Sequence, residues 1–414
     1  MKSFLRKIIP DFIFSWYHFG WALLGAIVYR FPSKKLKVIG VTGTNGKSTV
    51  VFFISRILEE AGYSVAALSS IQFKIKDKIW PNTLKMTMPG RMKIQKFLRD
   101  ALRAGCQYVV LEVTSEGIKQ YRHKFIGFDL AVLTNLTAEH LESHGGFDNY
   151  KKAKGKLFRS LKANGKSVIN LDDSQADYFR QFPAKEKIGY TINSKPEFTL
   201  NLLGRFNISN ALAAIAVAQA EGVPLAKTKT ALGKIKSIPG RMEIVIKESF
   251  TPHLSKIGAK HQLKKQSLKG AGFTVIVDYA HTPDALEKVY QTVKEIFKGR
   301  LIGVLGAAGG GRDKWKRPAL GKIAEQYLDK IIITNEDPYD EDPRQILSEI
   351  KSGSPRAKEI LDRREAIRKA ISLAKPGDVV IITGKGCEPW MCLAKGRKIP
   401  WDDREVVREE FKHL

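Results

Sequence analysis

Gly40-Val-Thr-Gly-Thr-Asn-Gly-Lys-Ser-Thr49 follows the apolar run Leu36-Lys-Val-Ile39 and leads into a helical pattern from Val50 to Glu60. A strand that enters a glycine-rich turn and then a helix points backbone N–H groups and a helix N-terminus at one place. Polyphosphates are held in such places. Gly43, Thr44, Asn45, Gly46 and Thr49 are candidate phosphate contacts. Lys47 would reach the outer phosphates, and the Ser48 hydroxyl is a candidate Mg²⁺ ligand. The spacing departs from G-x-x-x-x-G-K-[ST], because Val41 stands where the first glycine belongs. A glycine-rich turn without a ligand is the plainer reading. Strand, Lys-Ser-Thr and helix together favour ATP or a close relative.

From residue 36 onward, short β-branched runs alternate with helical patterns, as in a parallel sheet with crossover helices. Strands are expected at Lys37–Val41, Ser64–Leu68, Tyr108–Val113, Leu130–Thr134 and Ser167–Asn170, then an alanine-rich helix from Asn210 to Glu221. A second α/β block begins near Pro239-Gly-Arg241, with strands expected at Phe273–Val277, Leu301–Leu305, Lys330–Thr334 and Asp378–Thr383. The expected organisation is an apolar helical segment over 1–35, an ATP-binding domain over 36–238 and a C-terminal domain over 239–414. Residues 246–272 carry Lys247, Lys256, Lys260, Lys264, Lys265 and Lys269 against Glu248 alone, which reads as an exposed basic loop.

The chain has 414 residues, 43% of them hydrophobic, enough for two or three cores. Cys106, Cys387 and Cys392 form neither a disulfide framework nor a zinc spacing, which suits a reducing cytoplasm. The net charge of +28 fits nucleic acid, an anionic membrane or acidic substrates. The lysines are spread along the chain without an aromatic-interleaved patch, so nucleic acid is not the expected partner. Phe12 to Phe31 is mostly apolar, holds Trp16, Tyr17, Trp21 and Tyr29, and has basic flanks. It reads as a helix in the membrane interface or packed on the protein's own core, and a true span is the third reading. The expected location is cytoplasmic, peripheral at the inner face of the membrane.

Phosphate binding alone names no reaction, so the other polar clusters matter. Glu112 ends the apolar strand Tyr108-Val-Val-Leu-Glu-Val113, where a carboxylate can meet Mg²⁺ across from Ser48. His140 and His144 follow another strand end, the edge where open parallel sheets bind ligands.

At this point the chain resembles the Mur ligases. The resemblance rests on Gly40–Thr49, Glu112-Val-Thr-Ser-Glu-Gly-Ile118, Thr134-Asn-Leu-Thr-Ala-Glu-His-Leu-Glu-Ser-His-Gly145 and Tyr150-Lys-Lys-Ala-Lys-Gly-Lys-Leu-Phe158. It continues through Leu203-Gly-Arg-Phe-Asn-Ile-Ser-Asn210, Pro239-Gly-Arg-Met-Glu243, Val277-Asp-Tyr-Ala-His-Thr-Pro-Asp-Ala-Leu286, Gly311-Arg-Asp-Lys-Trp-Lys-Arg-Pro318, Asp362-Arg-Arg-Glu-Ala-Ile-Arg368 and Gly384-Lys-Gly-Cys-Glu388. The branch it is most similar to adds the third residue to UDP-MurNAc-L-Ala-D-Glu in peptidoglycan precursor synthesis. The resemblance implies a P-loop-type ATPase domain with a mainly parallel sheet, followed by a Rossmann-like α/β domain. It also implies an ATP-dependent amide ligase working through an acyl phosphate.

Residue by residue, the resemblance assigns phosphate contacts to Thr44–Ser48, with Lys47 catalytic. It gives one Mg²⁺ to Ser48 and Glu112 and a second to His140. Lys154 matches a carbamylated lysine, an anion with two oxygen ligands where an ammonium would repel the metal. Asn210, Arg241, Asp278 and His281 resemble nucleotide contacts. Thr87, Ser115 and Arg122 match positions near the muramyl-peptide acceptor, and Arg312, Gly384 and Glu388 those that hold the incoming amino acid.

Some segments depart from the family pattern. The family's N-terminal uridine-nucleotide domain is not expected here, since residues 1–35 are too few to form one. A lipid-linked acceptor, with residues 12–31 at the membrane, is the corresponding expectation. Glu336-Asp-Pro-Tyr339 stands where diaminopimelate-adding enzymes read Asp-Asn-Pro-Arg, and a tyrosine lacks the arginine's two-pronged grip. Cys387 and Glu116 replace histidines. The rival readings are a relative with a folate-like or other poly-amino-acid acceptor, and a basic nucleic-acid-binding ATPase.

Overall fold

The computed structural model describes residues 11–84, 86–194, 198–247 and 272–413. In chain order its elements begin with α1 (Asp11–Val28), β1 (Lys37–Thr42), α2 (Lys47–Glu60), β2 (Val65–Leu68), β3 (Gln72–Ile75), β4 (Lys78–Pro81) and α3 (Arg91–Arg103). There follow β5 (Tyr108–Glu112), α4 (Ser115–Lys119), β6 (Phe128–Leu133), α5 (Leu141–His144), α6 (Phe147–Phe158), β7 (Leu161–Asn170), α7 (Ala176–Arg180) and β8 (Glu186–Tyr190). Next are α8 (Arg205–Ala220), α9 (Leu225–Lys234), β9 (Glu243–Lys247), β10 (Thr274–Val277), α10 (Pro283–Ile296), β11 (Leu301–Leu305), α11 (Lys316–Tyr327) and β12 (Lys330–Ile333). The chain closes with α12 (Pro343–Lys351), β13 (Lys358–Glu359), α13 (Arg363–Leu373), β14 (Val379–Ile382), β15 (Trp390–Cys392), β16 (Lys398–Pro400) and α14 (Asp403–Phe411).

These elements form two compact units. The first comprises residues up to Ala138, Phe147–Ser194 and Ser209–Leu232. The second comprises Glu139–Gly146, Lys195–Ile208 and Gly233 onward.

The first unit holds an eight-stranded sheet in the order β4-β3-β2-β5-β1-β6-β7-β8. Strands from β2 to β8 run parallel, while β3 and β4 fold back as an antiparallel hairpin. The central strands β1 and β5 are apolar along most of their length because helices cover both faces of a parallel sheet. The β1–β5 register pairs Val41 with Glu112, and the β1–β6 register pairs Thr42 with Leu133. Three strand ends therefore lie side by side, and each continues into one of the motifs.

Helix α1 packs on the same unit with a face of small residues. Ala22 and Ala26 are buried, and a Cβ on Gly25 would lie 3.1 Å from Met92 Sδ. Ser15 Oγ meets Tyr121 OH at 2.7 Å, and Phe19 packs edge-on against Tyr121 and Phe125. The other face exposes Ile13, Trp16, Tyr17, Trp21, Leu24, Ile27 and Val28, with Trp16 72% exposed. No described helix is long and apolar enough to cross a membrane, so the reading of Phe12–Phe31 as a span fails.

The second unit has a six-stranded sheet, β13-β12-β11-β14-β10-β9, parallel except for β9. Ile246 and Lys247 lie in β9, so the basic stretch 246–272 begins as a strand. Residues 248–271 of that stretch lie outside the described residues. The sequence reading missed β3, β4, β8, β9, β13, β15 and β16, which are short or at sheet edges and lack a long apolar run. It also started the alanine-rich helix late, since α8 opens at Arg205.

Candidate active site

The turn after β1 needs glycine twice. Gly43 has φ 148° and Gly46 φ 81°, a region that side chains with a Cβ avoid. Space forbids a side chain as well: a Cβ on Gly43 would lie 1.9 Å from Thr134 Oγ1, and one on Gly46 2.3 Å from Asn210 Oδ1. Asn210, on α8, therefore abuts the turn.

The loop after β6 holds the turn from another side. Asn135 accepts from the Thr44 N–H through its carbonyl at 2.8 Å and from the Asn45 N–H through Oδ1 at 2.9 Å. Thr134 Oγ1 donates to the Asn45 carbonyl at 2.7 Å. Tyr150 OH meets Thr44 Oγ1 at 3.0 Å. Thr44 and Asn45, expected as phosphate donors, thus give their amides to Asn135, while Gly46 to Thr49 head α2.

At the end of β5, Glu112 is only 2% exposed. Its Oε2 accepts from Ser48 Oγ at 2.8 Å and from the Ser70 N–H at 2.9 Å. Its Oε1 lies 4.0 Å from Lys47 Nζ, which donates to the Thr44 carbonyl at 2.7 Å. A hydroxyl beside a buried carboxylate supplies the hard oxygen donors that Mg²⁺ takes, and such sites leave further positions to phosphate and water. Among the described residues no group of three or more His, Cys, Asp or Glu side chains forms a metal cluster. Two protein oxygens plus a substrate phosphate is the chemistry that fits here.

Lys154, on α6 and also 2% exposed, donates to the Gly43 carbonyl at 2.6 Å and sits 4.5 Å over the Tyr150 ring. An ammonium there would repel a metal ion. With CO₂ added to Nζ it would present two carboxylate oxygens beside the same turn.

The acceptor candidates also come together. Arg122 donates through Nη1 to the carbonyl of Met88, next to Thr87, and through Nη2 to Gln120 Oε1 at 2.7 Å. Ser115 opens α4, whose preceding Thr114 accepts from the Gly117 N–H at 3.1 Å. A Cβ on Gly117 would lie 2.3 Å from Met88 Sδ, so α4 presses on the loop that carries Thr87. Desolvation, and then the neighbouring Arg91 charge, pull the Arg122 guanidinium down to about 10.

In the second unit the motifs gather at the carboxyl ends of β10, β12 and β14. Asp278 is buried and accepts from the N–H groups of Met242 at 2.7 Å and Ala280 at 2.6 Å. Burial raises its pKa and the Arg241 charge opposes the rise. Arg241 stacks 4.2 Å from the Tyr279 ring centre. His281 bonds through Nδ1 to the Tyr279 carbonyl at 2.8 Å, so its Nδ1 carries the proton. Desolvation and the Lys316 charge pull it down to about 3, and it stays neutral at pH 7.

Glu388 accepts from Tyr279 OH at 3.2 Å and from buried Lys385 at 2.7 Å. Gly384 has φ 109°, and a Cβ there would lie 2.2 Å from Glu336 Oε2. Burial pushes Glu336 up to about 7. Arg312 is exposed, and Tyr339 packs its ring where a Cβ on Gly310 would lie 2.5 Å away.

His140 belongs to the second unit and takes φ 56° at the start of α5. The following amides of Leu141 and Glu142 donate to the Asp313 carboxylate at 3.0 and 3.2 Å. Lys316 bonds Glu139 at 2.8 Å, both buried.

The sequence reading missed Ser70, Asn135, Tyr150 and Asp313 as site-building residues. Asn135, Tyr150 and Asp313 lie inside motifs already singled out, so their position was a signal. Ser70, in the β2–β3 connection, carried none.

Family models match in two places: the Mur ligase middle domain over residues 41–198, and the Mur ligase glutamate ligase domain over 262–386. A curated relative from Clostridium botulinum, UDP-N-acetylmuramoyl-L-alanyl-D-glutamate–2,6-diaminopimelate ligase, is 37% identical over 95% of this chain and 81% of its own. UDP-N-acetylmuramyl-tripeptide synthetase of Roseiflexus sp. is 34% identical over 95% of this chain and 82% of its own. A solved diaminopimelate ligase structure superposes with TM-score 0.56 at 30% identity, covering 91% of this chain and 78% of that one.

Proposed function

The chain belongs to the Mur ligase family, and from that premise we propose that it joins an amino acid to the free carboxylate of a muramyl peptide at the expense of ATP. The observation that carries this reading is the corner where Lys47, Ser48 and Glu112 meet under the glycine turn. The acceptor carboxylate attacks the γ-phosphorus, ADP leaves, and an acyl phosphate forms. The amine of the incoming amino acid then attacks the acyl carbon, and phosphate departs with its bonding pair. Two anions must approach in the first step, so cationic groups fixed in place lower its barrier.

Lys47 neutralises the outer phosphates, and the N-terminus of α2 faces the phosphate chain. Ser48 and Glu112 would hold one Mg²⁺, which would supply Lewis-acid stabilisation of the transferring phosphoryl group. Lys154 in its carbamylated form and His140, by their motifs, are the proposed ligands of a second. Arg122, Thr87 and Ser115 position the acceptor. Arg241, Asp278, His281 and Asn210 serve the nucleotide. Glu388 takes the ammonium of the incoming amino acid and Arg312 its carboxylate. The relatives' names specify diaminopimelate; here Tyr339 withholds the arginine that would grip a distal carboxylate, so the choice of amino acid is put to experiment.

One observation favours a second form of the acceptor. The exposed apolar face of α1, bordered by the exposed Lys34 and Lys35, suits peripheral contact with an anionic membrane from the cytoplasmic side, where a lipid-linked muropeptide would be met. The deciding assay is phosphate release from ATP with UDP-MurNAc-L-Ala-D-Glu, or its lipid-linked counterpart, against diaminopimelate, lysine and other amino acids. Release that requires one amino acid, with a matching product mass, is expected. Silence across both acceptors, from protein that still binds Mg-ATP, would sink the proposal.

A further inference from the structure

A groove of about 370 Å³ opens on the first unit, walled by Tyr17 and Trp21 of α1 and by Met86, Arg91, Lys93 and Arg122. Its cations are not neutralised locally. Arg91 donates through Nε to the Gln120 carbonyl at 3.0 Å and, through Nη2, to His18 Nδ1. Arg122 spends its outer nitrogens on Met88 and Gln120, while its buried Nε has no hydrogen-bond partner among the described residues. Neither guanidinium is ion-paired with a carboxylate among the described residues, and Glu116 acts on Arg122 only at longer range. Desolvation lowers the pKa of both, and Arg91 lowers that of Arg122 further. Two guanidiniums held close enough to repel, with Lys93 beside them, ask for more than one negative charge. The rings on the α1 side offer a flat apolar wall next to that charge.

We propose that this groove seats the diphosphate that links the acceptor to its carrier, Arg91 and Lys93 meeting phosphate oxygens and Tyr17 and Trp21 covering the carrier beyond them. The inference rests on the ligase reading above, in which Arg122 takes the acceptor's peptide end. It assigns α1 a role in substrate binding. Either a nucleoside diphosphate or a prenyl diphosphate carries the required charge.

Calorimetric titration of the full chain, with saturating Mg-ADP filling the glycine turn, tests the site with uridine diphosphate and farnesyl diphosphate as probes. Binding of uridine diphosphate identifies a nucleotide carrier, and binding of farnesyl diphosphate a polyprenyl one. Arg91→Gln should weaken it by about tenfold or more, Arg91→Lys by less, and Trp21→Ala should weaken it without loss of Mg-ADP binding. The groove is excluded if neither probe binds, or if Arg91→Gln and Trp21→Ala bind as wild type does. Phosphate release measured on the same wild-type sample separates the two readings: acceptor-dependent release without groove binding overturns only the groove.

Discussion

Glu336 shows how one side chain sets a pH response in this protein. Its carboxyl is buried against Gly384, and its Oε2 finds no hydrogen-bond donor among the described residues. Burial raises its pKa from 4.5 to about 7, with Arg363 and Lys385 opposing and Asp337 and Glu388 reinforcing the shift. The folded state therefore holds this proton more tightly than the unfolded chain does. Its contribution to stability is greatest below about pH 4.5 and declines as pH rises to about 7, by a total on the order of 3 kcal/mol. Glu336→Gln should flatten that decline. Chemical unfolding measured from about pH 5 to 8 checks it, and an unchanged slope in the variant would mean the group ionises freely. The same scale explains the nucleotide corner. Gly43 and Gly46 were readable as turn residues from sequence, but the reason no larger residue fits, Thr134 and Asn210 pressed against them, comes from strands and helices distant in the chain.

At the scale of the element, α1 is mostly apolar, yet it divides into two faces with different fates. Ala22, Gly25 and Ala26 let it lie close to α3, whereas Ile13, Trp16, Leu24 and Ile27 face outward. Sequence pattern alone could not separate a packing helix from an interfacial one, because a mostly apolar helix fits either. The structure packs one face and leaves the other exposed. Vesicles containing anionic lipid should sediment the full chain, and Trp16→Ser with Leu24→Ser should release it while circular dichroism stays unchanged. Retention of the double variant on such vesicles, or failure of wild type to sediment, would rule out this face as the membrane contact. Both substituted residues are exposed, so the fold has little to lose by the change.

At the scale of the whole molecule, two large sheets, each packed on its own apolar core, and a small β15–β16 pair make up the described sheet structure. A ligand that binds only folded protein stabilises the unit that holds it, by about 2.7 kcal/mol at a hundred times its Kd. Mg-ADP should therefore raise the unfolding temperature of the first unit, and Lys47→Ala should remove most of the shift. Scanning calorimetry reads this directly; a wild-type protein indifferent to Mg-ADP would contradict the nucleotide assignment. The alternation of apolar strand runs with helical patterns determined the α/β class, because a strand covered on both faces must be apolar throughout. The glycine turn and its Lys-Ser-Thr determined the sharp strand-to-helix turn, because backbone conformation there depends on residues adjacent in sequence. Strand order, the pairing of Val41 with Glu112 that brings the carboxylate to Ser48, the capture of the His140 segment by Asp313, and the groove between α1 and Arg91 were decided by the tertiary structure. They join residues far apart in the chain, and local patterns of hydrophobicity carry no record of which distant partner a side chain will meet.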